Sequence, residues 1–245
     1  MTADEAAPGA REPAAREPAA REPGAREPGA REPGAREPAA REPAVREPAV
    51  HVTARAAPAH LAALTPHPGL DRFRPPARQL AALVDIAADP RGRVVAAETN
   101  GTLVGYVAFH PPTEVESWGA DATGQLVELG AVEVAPGFRG QNIANRLLAA
   151  SFADGGYDDA VVFATLYSWH YDLQRAGMSD LAYRRMLERL YRGAGLEVFP
   201  TTDEEVRSSA ANALMARIGP RAPAAVVAEF HRLRKAQREP PPGAW

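Results

Sequence analysis

The chain has 245 residues, a formal net charge of −3 and no cysteine. Without cysteine, disulfides, thiolate metal sites and cysteine nucleophiles are excluded. No apolar run approaches the roughly 18 residues of a membrane span, and outside the amino-terminal repeat acidic and basic residues nearly balance. We therefore expect neither a membrane nor a nucleic acid as partner.

The first 50 residues are a repeat. Arg-Glu-Pro occurs eight times at a spacing of five, separated by pairs of Ala, Gly or Val. Such regular prolines block a continuous helix, and the segment has almost nothing apolar to bury. We predict a disordered arm over 1–50, either an inert spacer or a docking or solubility arm. One domain over 51–238 and a frayed tail over 239–245 follow. The arm lacks the apolar run of a signal peptide, so the expected location is cytoplasmic.

The domain begins with a predicted helix and hairpin. Pro75-Pro76 is a helix start, and apolar residues recur at helical spacing until Pro90. Two strand-like runs, 93–98 and 103–109, flank Asn100-Gly101, the dipeptide that favours a tight hairpin turn. A polar loop follows.

The middle of the domain is a predicted β-α-β unit, and such a unit makes its two strands parallel. Its elements are strand 126–134, helix 142–153 and strand 160–166. The remaining predicted elements are an aromatic segment over 167–173, helix 180–193, strand 196–199, a strand near 214–218 and helix 222–235. This order predicts an α/β fold with a mixed sheet and flanking helices.

The loop between strand 126–134 and helix 142–153 has the features of an anion site. A helix N-terminus offers unpaired N–H groups and partial positive charge, so an anion binds there readily. Gly140 and Ala144 are small enough to admit a ligand close to the backbone. An ordinary strand–turn–helix of an α/β core has the same spacing, so the residues alone leave both interpretations open.

This loop resembles the acetyl-CoA pyrophosphate loop of the GNAT acetyltransferases, whose pattern is Gln/Arg-x-x-Gly-x-Gly/Ala. Arg139-x-x-Asn142-x-Ala144 matches it except at Asn142, and Asn tolerates unusual backbone angles and caps helices well. The segment 190–199 resembles the family's later Tyr-x-x-x-Gly-Phe helix end. The resemblance implies a GNAT-type fold, acetyl-CoA as co-substrate, no metal, and a cofactor site formed by Val132, Val134, Arg139, Gly140, Gln141, Asn142, Ile143 and Ala144.

Several further segments resemble one branch of that family, the acetoin-utilisation protein acetyltransferases of the AcuA type. The resemblance covers about residues 70–235, and its matching segments are 73–75, 127–134, 167–173, 183–186, 195–199 and 211–219. It implies acetylation of a lysine on a protein. The known type of target in that branch is an acyl-CoA synthetase, acetyl-CoA synthetase in particular.

The resemblance also implies catalytic residues. In this family the strand before the loop splays from its neighbour, and N–H groups near Val132 and Val134 would polarise the acetyl carbonyl. Glu128 lies eleven residues before Arg139, where several members carry a general-base glutamate. Tyr191 lies where the family places the acid that returns a proton to the CoA thiolate.

Strand alternation assigns faces to the two glutamates of this strand. Glu128 is expected to share a face with Gly130, Val132 and Val134, and Glu133 to project from the opposite face. An apolar strand raises the pKa of a carboxylate toward the value that a base needs at neutral pH.

Each candidate also has a structural interpretation. Glu128 is alternatively a rim carboxylate or the partner of an arginine, and Glu133 more often has a structural role. Tyr191 is alternatively a core residue with its hydroxyl at the surface. His170 either lines a substrate channel or is structural, and the six histidines show no paired spacing suited to a metal.

Two other functions stay open. An acyl-CoA sensor without turnover is one, because Asn142 departs from the family pattern. A small-molecule amine acetyltransferase is the other, because the acidic run 203–205 is suited to a polyamine, although a solvated loop explains such a run equally well. Lys235 is the only lysine, which reflects either coding bias or an advantage to a lysine-modifying enzyme.

Overall fold

One mixed sheet of eight strands organises the residues that the computed structural model describes, which are 49–113 and 117–236. The sheet order is β1-β3-β4-β5-β6-β8-β7, and β2 pairs with β4 off this path. The strands are β1 (His51–Thr53), β2 (Thr65–Pro66), β3 (Arg93–Thr99), β4 (Thr102–His110), β5 (Leu126–Val134), β6 (Val161–Leu166), β7 (Glu197–Phe199) and β8 (Ala213–Ile218).

Seven α-helices accompany the sheet within the same described ranges. They are α1 (Pro58–Ala62), α2 (Pro76–Ala88), α3 (Ile143–Phe152), α4 (Leu173–Ala176), α5 (Asp180–Arg192), α6 (Glu204–Arg207) and α7 (Ala224–Leu233). The predicted mixed α/β architecture is confirmed. The short elements β1, β2, α1, α4 and α6 have no counterpart among the sequence predictions.

The predicted arm and tail fall mainly outside the described residues. The arm was expected over 1–50, and of its positions only 49 and 50 are described. Val50 packs against the hydrophobic core, and its carbonyl accepts a hydrogen bond of 2.8 Å from Arg146 Nη2. The ordered fold therefore already includes Val50. The tail over 239–245 lies outside the described residues.

The predicted hairpin is present as β3 and β4. Asn100 and Gly101 connect the strands with φ angles of +49° and +72°. A type I′ turn requires positive φ at both central positions, which explains this residue pair.

Helices cover both faces of the sheet. Along β3, Val95 and Ala97 belong to one core and Val94 and Ala96 to another, as alternation requires. We call the face covered by α3 and α5 the α3 face. The opposite face, covered by α1, α2 and α7, is the α7 face.

The two parallel strands of the β-α-β unit, β5 and β6, are paired over three residues and then separate. β5 pairs with β6 only through Leu126, Val127 and Glu128. The second half of β5, residues 129–134, pairs with β4 on its other side and has no partner on β6. The strands thus form a fork, and the splay implied by the family resemblance is present.

A β-bulge lies just beyond this fork. Consecutive residues Ala108 and Phe109 of β4 pair with Ala131 and Leu129 of β5, so Gly130 is left between them. A bulge of this kind inserts one extra residue and shifts the alternation of side chains by one position.

The bulge overturns the predicted faces of the two glutamates. Val132 and Val134 pack on the core of the α3 face. Glu128 is opposite Phe163, a residue of the α7-face core, and Glu133 hydrogen-bonds a tyrosine of that same face. Both glutamates therefore lie on the α7 face. The expectation that Glu128 shares a face with Val132 and Val134 is wrong, because strict alternation ignores the extra residue.

Candidate active site

The open side of the fork is a cleft of about 590 Å³ that we call the fork cleft. Residues 129–134 of β5 form one wall, and the loop after β5, the start of α3 and the inner side of α5 form the others. The residues predicted to bind the cofactor all line this cleft except Gln141. The structure thus brings together the two segments that the sequence singled out, the loop near Arg139 and the helix that carries Tyr191.

The loop entering α3 presents a set of backbone donors. Gly140 and Asn142 have φ angles of +82° and +59°, and a Cβ added at Gly140 would meet no atom within 4 Å. The N–H groups of residues 140–145 donate to no described residue, whereas Arg146 N closes the first helical turn. This arrangement is suited to a pyrophosphate.

Asn142 adopts the left-handed conformation that a glycine usually supplies in the pattern. Its side chain does not cap the helix; Oδ1 accepts a hydrogen bond of 2.6 Å from Asn145 Nδ2. The asparagine therefore replaces glycine without blocking the N–H groups of the first turn, which agrees with its tolerance of positive φ.

The side chain of Arg139 makes two polar contacts in the fork cleft. Its Nη2 lies 2.8 Å from Asp172 Oδ2, and its Nε donates to the carbonyl of Val134 at 3.1 Å. Arg139 N donates to Pro136 O, so the donors available to a phosphate begin at residue 140. Asp172, which is 5% exposed, lies in the segment 167–173 that resembles the acetoin-utilisation branch, but sequence analysis assigned it no role because it is distant in sequence from Arg139.

Two N–H groups of β5 face into the cleft. Ala135 N donates to Val104 of β4, and successive residues of an antiparallel strand direct their backbone groups to opposite sides. Val134, and by the same alternation Val132, therefore direct their N–H groups away from β4 and toward the open side. The two donors lie where the resemblance implied stabilisation of an acetyl carbonyl.

Tyr191 of α5 lines the fork cleft and is 5% exposed. Burial, together with Tyr183 and Tyr171 nearby, raises the pKa of its phenol above the usual value. The hydroxyl therefore stays protonated at neutral pH, as a proton donor must.

Glu133 is held in a buried hydrogen-bond network. One carboxylate oxygen accepts from Tyr106 at 2.6 Å, and the other accepts from the backbone N–H of Arg72 at 2.9 Å. Burial raises the pKa of this carboxyl, against the lowering effect of the Tyr106 hydrogen bond. The side chain anchors the segment before α2 to β5, in line with the structural alternative for this residue.

A second cavity, of about 450 Å³, opens on the α7 face at the closed end of the fork. It is lined by four acidic residues and one arginine, and we call it the acidic cavity: Glu128, Asp203, Glu204, Glu205 and Arg207. Thr165 and Tyr167 line both cavities. The fork cleft and the acidic cavity therefore meet where β5 and β6 part.

Glu128 is the catalytic candidate in the acidic cavity. Its side chain is 15% exposed, and His110 Nδ1 lies 3.9 Å from Oε2. A Cβ on Gly130 would lie 2.3 Å from His110 Nε2, so the bulge glycine admits this histidine beside the strand. Sequence reasoning missed His110, since only the bulge brings it against β5.

The acidic run of the cavity is partly structural. Asp203 Oδ1 accepts hydrogen bonds from the N–H groups of Glu205 and Val206, so Asp203 is the N-cap of α6. Carboxylates in the first turn also suit the positive end of a helix. The solvated-loop interpretation of 203–205 is therefore incomplete, because these residues form a capped helical turn on a cavity wall.

His170 lines the fork cleft in an aromatic cluster. Its ring contacts Phe73 edge-on at a centroid distance of 5.4 Å. Burial lowers the pKa of His170, and the charge of Arg72 lowers it further. A neutral imidazole in this position is consistent with either the structural or the channel-lining interpretation.

Among residues 49–113 and 117–236, no group of three or more His, Cys, Asp and Glu side chains is arranged to hold a metal ion. No helix in those ranges has the length and apolar character needed to cross a membrane.

Comparison with known proteins agrees with this geometry. The acetyltransferase (GNAT) family matches residues 61–156. The acetoin utilization protein AcuA of Bacillus licheniformis is 39% identical over 178 residues, which are 73% of this chain and 85% of that protein. Its Bacillus subtilis counterpart is 40% identical over the same shares. The crystal structure of an acetoin utilization protein from Exiguobacterium sibiricum is 41% identical and superimposes with a TM-score of 0.75, covering 76% of this chain and 88% of that one.

Proposed function

The chain belongs to the GNAT acetyltransferase family, and we propose that it acetylates a lysine of a protein, specifically an acetyl-CoA synthetase, and thereby inactivates it. That it is an N-acetyltransferase with acetyl-CoA as co-substrate follows from the family. The identity of the acceptor, and the role of each residue below, are proposals.

The proposed reaction has three requirements. The amine must lose a proton, its nitrogen must form a bond to the acetyl carbon as the C–S bond breaks, and the departing thiolate must gain a proton. We assign the first role to Glu128 and the last to Tyr191. The N–H groups of Val132 and Val134 would stabilise the carbonyl oxygen as it gains negative charge.

Acetyl-CoA would lie in the fork cleft with its pyrophosphate on the N–H groups that follow Arg139. Support comes from the free donors over 140–145 and the open space at Gly140. The positive end of α3 adds attraction for phosphate. Arg139 would contribute its charge while Asp172 fixes its position.

One observation carries the acceptor proposal. The acidic cavity meets the fork cleft at Thr165 and Tyr167, on the other face of the sheet from α3. A lysine ammonium entering there would pass carboxylates, and Glu128 would be within the same cavity. Carboxylates favour a cationic acceptor until the proton is removed.

The choice of a synthetase rests on the likeness to acetoin utilization proteins. Acetylation removes the charge of an ammonium, so any electrostatic contact that a lysine makes to an acyl-adenylate would be lost. The nearly balanced charge outside the repeat is suited to a folded protein partner rather than a polyanion.

A small-molecule amine is the second candidate acceptor. The acidic cavity, at about 450 Å³, has room for a free polyamine, and its carboxylates would bind one. This alternative differs from the main proposal only in what enters the cavity, so a direct competition separates the two.

The test is to incubate the full chain with acetyl-CoA and either purified synthetases of the host or spermidine. Acetyl mass on a synthetase lysine, with a parallel loss of synthetase activity, is the expected result. Glu128→Gln should abolish both changes at equal protein concentration. Rapid acetylation of spermidine with no mass gain on any synthetase would reject the protein acceptor in favour of the small amine.

A further inference from the structure

The only lysine of the chain adjoins Ala236, a residue that lines the acidic cavity. Lys235 lies two residues after Leu233, the last residue of α7, and is exposed. Its ammonium makes no hydrogen bond or ion pair with any described residue.

The residues before and after Lys235, Arg234 and Ala236, are hydrogen-bonded to the cavity wall. Thr202, a lining residue, donates its N–H to Arg234 O at 3.0 Å, and its hydroxyl lies 3.2 Å from Ala236 O. Thr201 also donates to Arg234 O, at 2.8 Å. Lys235 therefore stands between two residues whose carbonyls are held against the cavity wall.

The cavity is suited to this side chain. A lysine carries its charge on a flexible four-carbon stem, so the ammonium can move while the backbone stays fixed. Glu128, Glu204 and Glu205 line the cavity that the neighbouring Ala236 borders. Thr165 and Tyr167 line both this cavity and the fork cleft.

We propose that the enzyme acetylates its own Lys235, within one molecule, through the acidic cavity. The Lys235 ammonium gives one proton to the cavity carboxylate, and its nitrogen bonds to the acetyl carbon of acetyl-CoA as the C–S bond breaks. The departing thiolate takes the proton of the Tyr191 hydroxyl, and the second proton lost by the nitrogen returns to Tyr191. This inference rests on the proposed function, because it uses the same cofactor cleft and the same acceptor cavity. Once acetylated, residue 235 carries no charge and can no longer compete with an external amine.

The presence of one lysine makes the experiment simple. The full chain is incubated with acetyl-CoA, and the mass of the intact protein and of its peptides is followed in time. We expect one acetyl group on Lys235, formed at a first-order rate that does not change on tenfold dilution of the protein. Desulfo-CoA, which competes for the cofactor cleft but carries no acetyl group, should suppress it.

A relocated lysine provides the matched control. Arg221 is exposed and its N–H bonds Asp158 before the start of β6, whereas the cavity lies at the other end of that strand. The double variant Lys235→Arg with Arg221→Lys keeps a single lysine but moves it away from the cavity. We expect it to remain unmodified under the same conditions.

Four results would overturn the inference. They are no acetylation of Lys235, equal acetylation of the relocated lysine, acetylation that desulfo-CoA does not suppress, and a rate that rises with protein concentration. A synthetase in the same experiment separates the two proposals. If the synthetase is acetylated and Lys235 is not, only self-acetylation is wrong; if neither gains mass, the acceptor proposal fails with it.

Discussion

The two halves of β5 differ in what lies beside them. The first half, Leu126 to Glu128, is paired with β6 throughout and with β4 at Glu128, and it ends at the acidic cavity. The second half, residues 129–134, is open toward the fork cleft. A single strand thus borders the proposed acceptor space with one half and the proposed cofactor space with the other, and the bulge at Gly130 lies at the start of the second half.

The same comparison separates the two glutamates. Both lie on the α7 face and both line a cavity, Glu133 the fork cleft and Glu128 the acidic cavity, but the two oxygens of Glu133 accept hydrogen bonds from Tyr106 and from the backbone N–H of Arg72. A base must reach the proton that it removes, and in our proposal the amine enters through the acidic cavity, which Glu128 lines and Glu133 does not. We therefore assign the chemistry to Glu128 and an anchoring role to Glu133.

The most damaging change should be Glu128→Gln. If this carboxylate removes the amine proton, turnover at neutral pH should fall by roughly 10²- to 10⁴-fold, because an amide cannot accept that proton. The affinity for acetyl-CoA should be unchanged, since Glu128 does not line the fork cleft. Steady-state rates and calorimetric titration measure the two quantities. A loss of only a few-fold would transfer the role to Glu133, His170 or a water chain.

Arg139→Glu should act on the cofactor half instead. It removes a cation from the fork cleft and places a carboxylate near the phosphates and near Asp172, so acetyl-CoA should bind about 10- to 100-fold more weakly. Calorimetry measures the affinity, and Arg139→Gln should have a smaller effect in the same direction.

Arg91→Glu is the matched control for that charge change. Arg91 is exposed in the turn before β3 and lines neither cavity. Its reversal should leave the affinity for acetyl-CoA unchanged. If Arg139→Glu has no more effect than Arg91→Glu, the loop is not the phosphate site.

Glu133→Gln should leave turnover within roughly tenfold of the wild type, since a positioning residue contributes less than a general base. The larger effect of this substitution should be on the pH dependence of the free energy of unfolding. Burial raises the folded pKa of Glu133, so its favourable contribution is complete below the unfolded pKa and is lost as pH rises through the folded pKa. Urea unfolding at a series of pH values that spans both pKa values should show the free energy of unfolding of the wild type falling relative to that of the variant as pH rises. A difference independent of pH would contradict the buried carboxylate.

The sequence predicted most of the long elements because their signals are local. Asn100-Gly101 specifies a hairpin through backbone angles alone, and Pro75-Pro76 positions the start of α2. The loop at 139–144 was recognisable for the same reason, since its pattern is contiguous. Short elements such as β2 and α6 carry too few residues for a periodic signal.

The faces of the two glutamates and the partner of Arg139 were beyond sequence reasoning because both depend on tertiary contacts. The bulge exists where His110 packs against Gly130, two residues on different strands. Asp172 reaches Arg139 only because the segment after β6 folds back over the cleft. Neither arrangement leaves a period or a motif that a single sequence displays.

Tyr191→Phe should produce the smallest effect on turnover, about three- to tenfold, because a CoA thiolate is a tolerable leaving group even without a proton donor. The deficit should shrink as pH rises past about 8.5, the ordinary pKa of an alkyl thiol, since the thiolate then no longer needs the proton. Tyr191 itself stays protonated in this range, because burial raises its pKa above the usual value of a phenol. Its hydroxyl makes no hydrogen bond with a described residue, so urea unfolding should show little change in stability. A pH-independent deficit, or one accompanied by weaker acetyl-CoA binding in calorimetry, would make Tyr191 a packing residue of the cofactor half rather than its acid.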